Sequence, residues 1–222
     1  MTPASDRDAR ELARQLREPQ GDDGIRIGNV MHAGNFRMTQ ACFASLGLTE
    51  GGTLLEIGHG NAAHVPGLLQ ACPEIRFQGL DVSSLMRDEA ARLNHAAVQR
   101  GLAVFTQYDG GCFPFSAQQF DAAMSVNTVY FLPQPLAFLE ETYRVLRPGA
   151  PFSLAFADKA FMRQQAFAQH GFSLFGTDEM VALLEAAQFK VLGVETHQDI
   201  MPSAHAHGAG VARLFHVVQA VR

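Results

Sequence analysis

The chain has 222 residues, 47% of them hydrophobic, a formal net charge of -5 and three cysteines. That is enough apolar material for one full core, while the sparse lysines, Lys159 and Lys190, and the scattered arginines form no concentrated basic patch and so argue against a nucleic-acid partner. Cys42, Cys72 and Cys112 lack CxxC or zinc-like spacing and read as small residues of a reducing compartment. The N-terminus is polar and acidic and no run approaches the roughly 18 apolar residues of a membrane span, so a cytoplasmic protein with no membrane partner is expected.

Residues 5–18 carry Ala9, Leu12, Ala13 and Leu16 at helical spacing, with Ser5 as N-cap and Pro19 as stop. The polar turn from Gln20 to Gly24 ends that helix. A second helical region from about Ile25 to Leu46 is interrupted near Gly34 and leads into the turn Glu50-Gly51-Gly52. From there short, continuous apolar runs alternate with amphipathic stretches, the sequence form of a parallel sheet covered by helices. The runs lie at 53–57, 76–80, 103–106, 120–126, 151–157 and 190–194, and helices are predicted at 63–72, 84–98, 136–146 and 178–187. Ser83 caps the second of these helices, Pro135 starts the third, Arg147-Pro148-Gly149 ends it, and Thr177, Asp178 and Glu179 open the fourth. The run from Val211 to Val221 follows without an intervening helix, which predicts an antiparallel partner. The expected fold is therefore α/β: a doubly wound seven-stranded mostly parallel sheet with an antiparallel last strand, a three-layer sandwich. Residues 1–49 form an N-terminal helical cover and residues 50–222 the main domain.

The stretch Leu55-Glu56-Ile57-Gly58-His59-Gly60 runs an apolar strand straight into a glycine turn and a helix, a backbone that turns sharply and lets a ligand approach. Gly58, Gly60 and Ala63 satisfy G-x-G-x-x-G/A, and Asp81 at the end of the next strand is placed to accept from ribose hydroxyls. Glu56 separates the ligand classes. A dinucleotide would bring a negative pyrophosphate to that carboxylate, whereas the positive sulfonium and amino groups of S-adenosylmethionine suit it.

With these residues the chain resembles the class I S-adenosylmethionine-dependent methyltransferases over about residues 50–220. Gly79-Leu80-Asp81-Val82-Ser83-Ser84-Leu85-Met86 is similar to the family's second motif and Tyr108-Asp109-Gly110-Gly111-Cys112-Phe113-Pro114-Phe115 to its third. Phe120-Asp121-Ala122-Ala123 and Leu146-Arg147-Pro148-Gly149 resemble the strand starts on either side of the fourth helix. The resemblance implies a Rossmann-like domain with S-adenosylmethionine as cofactor and S-adenosylhomocysteine as product. It implies Glu56, Gly58 and Gly60 around the methionine portion, Asp81 on the ribose, and Val82 and Met86 against the adenine. It further implies Asp109 on the adenine amino group with Gly110 beside it, and Asn127 on the cofactor's amino-acid end. Ala62 departs from the glycine usual there. Met31 to Asn35 is similar to the Met-x-x-x-Asn lead-in of a subgroup, which implies a helical cover over cofactor and acceptor.

Methyl transfer is an in-line displacement that asks the protein for orientation, exclusion of water and, for an O or N acceptor, a base. Catalytic candidates at the carboxyl edge of the sheet are His59, Tyr130 and His32. Phe161, Met162, Phe167, Phe172 and Phe175 crowd the segment before Thr177 and suit an apolar lid, with core packing as the alternative. The loop from His197 through Asp199 to His205 and His207 has ligand types for zinc but no fixed spacing, so no metal is expected. The reading is transfer of methyl to a small, partly hydrophobic molecule, with homodimer formation left open. The alternatives are an NAD(P)-dependent reductase using the same loop and a non-catalytic S-adenosylmethionine-binding module.

Overall fold

The computed structural model describes residues 6–48, 51–201 and 210–222. The two segments ahead of the sheet are helices: α1 spans Asp6–Arg17 and α2 spans Gly21–Ser45. The strands are β1 Gly52–Ile57, β2 Ile75–Asp81, β3 Ala103–Gln107, β4 Ala122–Val126, β5 Pro151–Ala157, β6 Lys190–Met201 and β7 Val211–Val221. Between them lie α3 Val65–Ala71, α4 Ser84–Leu93, α5 His95–Gln99, α6 Pro135–Val145, α7 Lys159–Arg163 and α8 Thr177–Ala186. The strands form one seven-stranded sheet in the order β3-β2-β1-β4-β5-β7-β6. Only β7 runs against its neighbours, pairing antiparallel with both β5 and β6, so the predicted mostly parallel sheet with an antiparallel last strand is the observed one.

Alternation along the strands divides the core between the two faces. Leu55 and Ile57 of β1 with Phe152, Leu154 and Phe156 of β5 bury against α6 and α8 through Phe138, Leu139, Met180 and Leu184. Leu54 of β1, Met124 of β4 and Ala155 of β5 bury on the other face with Met38, Cys42, Val65 and Leu68 from α2 and α3. These layers make the three-layer sandwich.

Several boundaries differ from the sequence expectation. The helix at 25–46 is not interrupted at Gly34, and the polar Gly21–Gly24 is its first turn, not a linker. Its acidic residues Asp22 and Asp23 sit where the helix dipole favours them. The helix expected at 84–98 breaks into α4 and α5 at Asn94, whose Nδ2 donates to the carbonyls of Ala62 and Ala90. β4 starts at Ala122, leaving Phe120 in a lone parallel bridge with Leu146. β6 continues past Val194 to Met201, so His197 and Asp199 belong to a strand and not to a loop. Ser5, Glu50, His205 and His207 lie outside the described residues.

α2 is held against the sheet by contacts along its length. Gly28 faces α4 so closely that a Cβ there would lie 2.9 Å from Met86 Sδ. Near the other end, Ser45 Oγ lies 2.6 Å from Ser153 Oγ of β5, and Cys42 Sγ lies 3.1 Å from the same hydroxyl.

Candidate active site

The turn after β1 owes its shape to Gly58. Its φ of +79° suits glycine, and a Cβ there would lie 2.0 Å from Thr128 Oγ1. Gly60 also has positive φ, +56°, but nothing lies within 4 Å of its Cβ position. The first glycine therefore serves the turn, and the second leaves room above it. Ala62, where a glycine is usual, has φ of +50° and is fully buried. The backbone keeps the glycine conformation although the side chain is not glycine.

Asp81 is buried, and its carboxylate accepts from the Gly60 and Ser83 amides at 3.0 and 2.9 Å. Burial raises its pKa above the usual carboxylate value against the opposing pull of His59 and those amides. A carboxylate has about four acceptor positions, so capacity remains for hydroxyl donors. Val82 is half-buried, and its Cγ1 lies 3.7 Å from the Cβ position of Gly110, whose φ is +87°. Asp109 is exposed and accepts from the Gly111 amide at 2.9 Å. The structure thus brings Gly60, Asp81, Val82 and Gly110 to one edge. Met86 is buried on α4 and packs against α2 at Gly28.

Glu56 is 2% exposed and accepts from His64 Nε2 at 2.7 Å. Burial works against the His64 imidazolium, but the charge and hydrogen bond of Glu56 outweigh it and hold the His64 pKa above its ordinary value. His32 of α2 stacks on His64 with ring centroids 6.2 Å apart. Burial, helped by the His64 charge, holds the His32 pKa down. His64 carries no signal in sequence, because only the turn geometry returns a residue eight positions on to the Glu56 carboxylate.

His59 is placed differently from an edge residue open to an acceptor. Its ring is buried between the turn and β3, 5.2 Å from that of Phe105. Nδ1 lies 2.7 Å from the Gly60 carbonyl, which can only accept, so Nδ1 carries the proton. Nε2 is then a buried acceptor with no partner, and burial lowers the His59 pKa.

At the end of β4, Asn127 has φ of +55°, a conformation asparagine tolerates better than most residues. Its Nδ2 donates to Asn35 Oδ1 of α2 at 2.8 Å, and its Oδ1 accepts from the Tyr130 hydroxyl and the Ala157 amide at 3.0 and 3.2 Å. The Tyr130 hydroxyl also accepts from Ala157 N–H at 2.6 Å, and burial pushes the phenol above its ordinary pKa. Arg213 of β7 joins the same network. It is 3% exposed, pairs with Asp199 of β6 through two hydrogen bonds at 3.1 and 2.7 Å, and donates to Gly34 O and Asn35 Oδ1 at 2.8 and 3.2 Å. Among the described residues no group of three or more His, Cys, Asp or Glu side chains is arranged to hold a metal ion. No described helix is long and apolar enough to cross a membrane.

The doubly wound sheet with its seventh strand reversed, which carries the glycine turn after β1 and the buried acid closing β2, is a fold shared with solved S-adenosylmethionine-dependent methyltransferases. Residues 55–154 match the family described as Methyltransferase domain. The chain is 26% identical to the uncharacterized methyltransferase YdaC of Bacillus subtilis (strain 168) over 172 residues, 76% of this chain and 88% of that protein. It is 34% identical over 103 residues to the fatty-acid O-methyltransferase of Mycolicibacterium smegmatis, 46% of this chain and 36% of that one. Among solved structures, the methyltransferase in complex with the Haloferax volcanii Trm112 methyltransferase activator shares the fold, with a TM-score of 0.75 and 19% identity over 95% of this chain and 97% of that one. These likenesses favour the methyltransferase reading of the glycine loop over the nicotinamide one.

Proposed function

We propose that this protein transfers the methyl group of S-adenosylmethionine to a small molecule with substantial apolar surface. The observation that carries the acceptor class is the aromatic segment between β5 and α8. Phe161, Phe167, Phe172 and Phe175 are only half-buried there. Phe172 lies 4.7 Å from Phe131 and 5.4 Å from Phe167, centroid to centroid, just beyond the ends of β4 and β5. Asp6 of α1 meets His170 of this segment at 3.2 Å, so the helical cover and the aromatic wall flank the same edge of the sheet. An aromatic wall of that kind suits an apolar body. The fatty-acid acceptor named for the Mycolicibacterium relative is of that chemistry.

The cofactor, when bound, supplies an activated methyl carbon. The chain's residues do the rest. Asp81 holds the ribose hydroxyls, with Val82 and Gly110 beside the adenine and Asp109 at its amino group. Gly58 shapes the turn, Gly60 keeps it open, and Glu56 faces the positive amino-acid end. Asn127 and Tyr130 position the strand ends through their mutual bond and that to Ala157. Among the three catalytic candidates, His32 suits a base best. It is half-buried and held neutral near pH 7, whereas His59 is buried under the turn and the Tyr130 hydroxyl is engaged.

Calorimetry with S-adenosylhomocysteine tests the cofactor site, and methyl transfer from labelled S-adenosylmethionine tests the acceptor class. Across a panel of acids, phenols and amines graded in apolar area, turnover should rise with that area. A preference for charged, compact acceptors would reject the proposed class.

A further inference from the structure

Glu56 faces two claimants. Its carboxylate lies at the end of β1, before the glycine turn, where the positive amino-acid end of the cofactor is expected. In the structure it is already bonded to His64 Nε2, and the two side chains are 3% and 9% exposed. We propose that Glu56 is shared between His64 and the cofactor's ammonium group, so that filling the site expels a proton from His64 and makes cofactor affinity depend on pH.

The groups that face His64 leave little else to carry the charge. Glu56 approaches from β1, His32 from α2 with its ring stacked on that of His64, and Phe77 from β2 with centroids 6.2 Å apart. His59 lies in the same turn, with Asp81 of β2 acting on it. α3, which follows His64 directly, has no titratable side chain. Asp81 is committed to the Gly60 and Ser83 amides, so among the described residues Glu56 is the one carboxylate bonded to the imidazole.

One carboxylate can balance one imidazolium. The cofactor's own carboxylate balances its ammonium overall, but at Glu56 the ammonium and the imidazolium lie side by side against one carboxylate in a site shielded from water, and that like-charge contact is costly unless a proton leaves. An α-amino group holds its proton to about pH 7.7–8.0 and an imidazole to about 6.5, so the imidazolium yields first. His64 keeps its Nε2–H on Glu56 and gives up the proton on Nδ1, which passes to the buffer; no other bond changes. By linkage, affinity then rises with pH by up to about tenfold per unit across the window in which His64 is charged in the free protein and neutral in the complex.

The inference rests on S-adenosylmethionine as the cofactor and is tested by calorimetry of the whole chain with S-adenosylhomocysteine. Titrations run near pH 6.5–7 in buffers of different ionisation enthalpy count the protons released. Net proton release is expected with S-adenosylhomocysteine. None is expected with 5′-methylthioadenosine, which keeps the nucleoside and lacks the amino-acid end. His64→Gln, which retains a donor for Glu56, should bind S-adenosylhomocysteine without proton release and with a flat pH dependence over the same range. Heats independent of buffer for the unmodified protein, equal release with both ligands, or unchanged release from His64→Gln would each overturn the proposal. If the variant does not fold, the comparison of the two ligands on the unmodified chain decides. Absence of any S-adenosylhomocysteine binding would instead reject the cofactor assignment, and this inference with it.

Discussion

At the scale of single residues, Gly58 and Gly60 separate folding from binding. Alanine at Gly58 meets Thr128 as well as an unfavourable φ. The conformational term alone costs about 1–2 kcal/mol, and at about 2–4 °C per kcal/mol for a chain of this size thermal denaturation should show a clear fall in Tm, with the overlap adding to it. Alanine at Gly60 meets the conformational term only, so its Tm should fall less while S-adenosylhomocysteine binding suffers more. A Gly60→Ala protein that binds as well as the parent would remove the second glycine from the site. His64 gives a second prediction, in the cofactor-free protein. Because Glu56 raises its pKa in the fold, the stabilisation is complete below the unfolded value of 6.5 and is lost as pH rises through the folded value. His59 and His32, with depressed pKa values, act in the opposite sense and lose stability as pH falls through 6.5. The difference in Tm between the parent and His64→Gln should therefore be largest in acid and shrink toward alkaline pH. A difference that grows with pH would contradict the Glu56–His64 pairing.

At the scale of elements, α2 is a strap tied at three points. Asn29 bonds Asn61 in the turn after β1 at 2.9 Å, Asn35 bonds Asn127 after β4, and Gly34 O receives Arg213 from β7. The last tie includes a buried ion pair. Removing one partner strands the other charge, so Arg213→Met should cost about 3–5 kcal/mol in urea denaturation, and Arg213→Met with Asp199→Leu should recover most of it. Equal losses in the single and double variants would mean that the ties to α2, and not the stranded charge, dominate. None of this was legible in the sequence. Gly34 reads as a helix breaker because the arginine that takes its carbonyl lies far along the chain. β6 reads as ending at Val194 because Glu195, His197 and Asp199 interrupt the apolar pattern, yet those residues pair with β7 beyond the part of the sheet that is covered on both faces. By contrast, Pro151–Ala157 matches its prediction residue for residue, because a strand buried on both faces is a continuous apolar run. Gly58, Gly60 and Asp81 were legible for a related reason: turn and acid sit next to strands that the pattern locates. The contact of His64 with Glu56 depends on the path of the turn, which no spacing rule supplies.

At the scale of the whole molecule, the proposed site lies between the helical cover and the sheet edge, so cofactor binding there should stabilise the chain as a unit. S-adenosylhomocysteine at 100 times its dissociation constant should add about 2.7 kcal/mol, and the gain in Tm should grow with the logarithm of ligand concentration. Amide exchange should slow in α2 as well as in the turn at Gly58–Gly60. Protection confined to the turn would show that α2 does not close on the ligand.

The order of the strands also bears on how the protein is made. β7 follows β6 in the chain but lies between β5 and β6 in the sheet. On the ribosome, β6 therefore emerges with its hydrogen-bonding edges unmatched, and residues from Val211 onward must clear the exit tunnel before it gains a neighbour. Phe215, Val217 and Val218, all deeply buried in the finished sheet, are among the last core residues to arrive. Arg213 arrives with them, so the tie between α2 and β7 is made only once synthesis of the sheet is nearly complete. A nascent chain stalled before β7 would present an unfinished sheet and an α2 without its tie to Arg213, which makes this stage the one at which chaperone binding should be strongest.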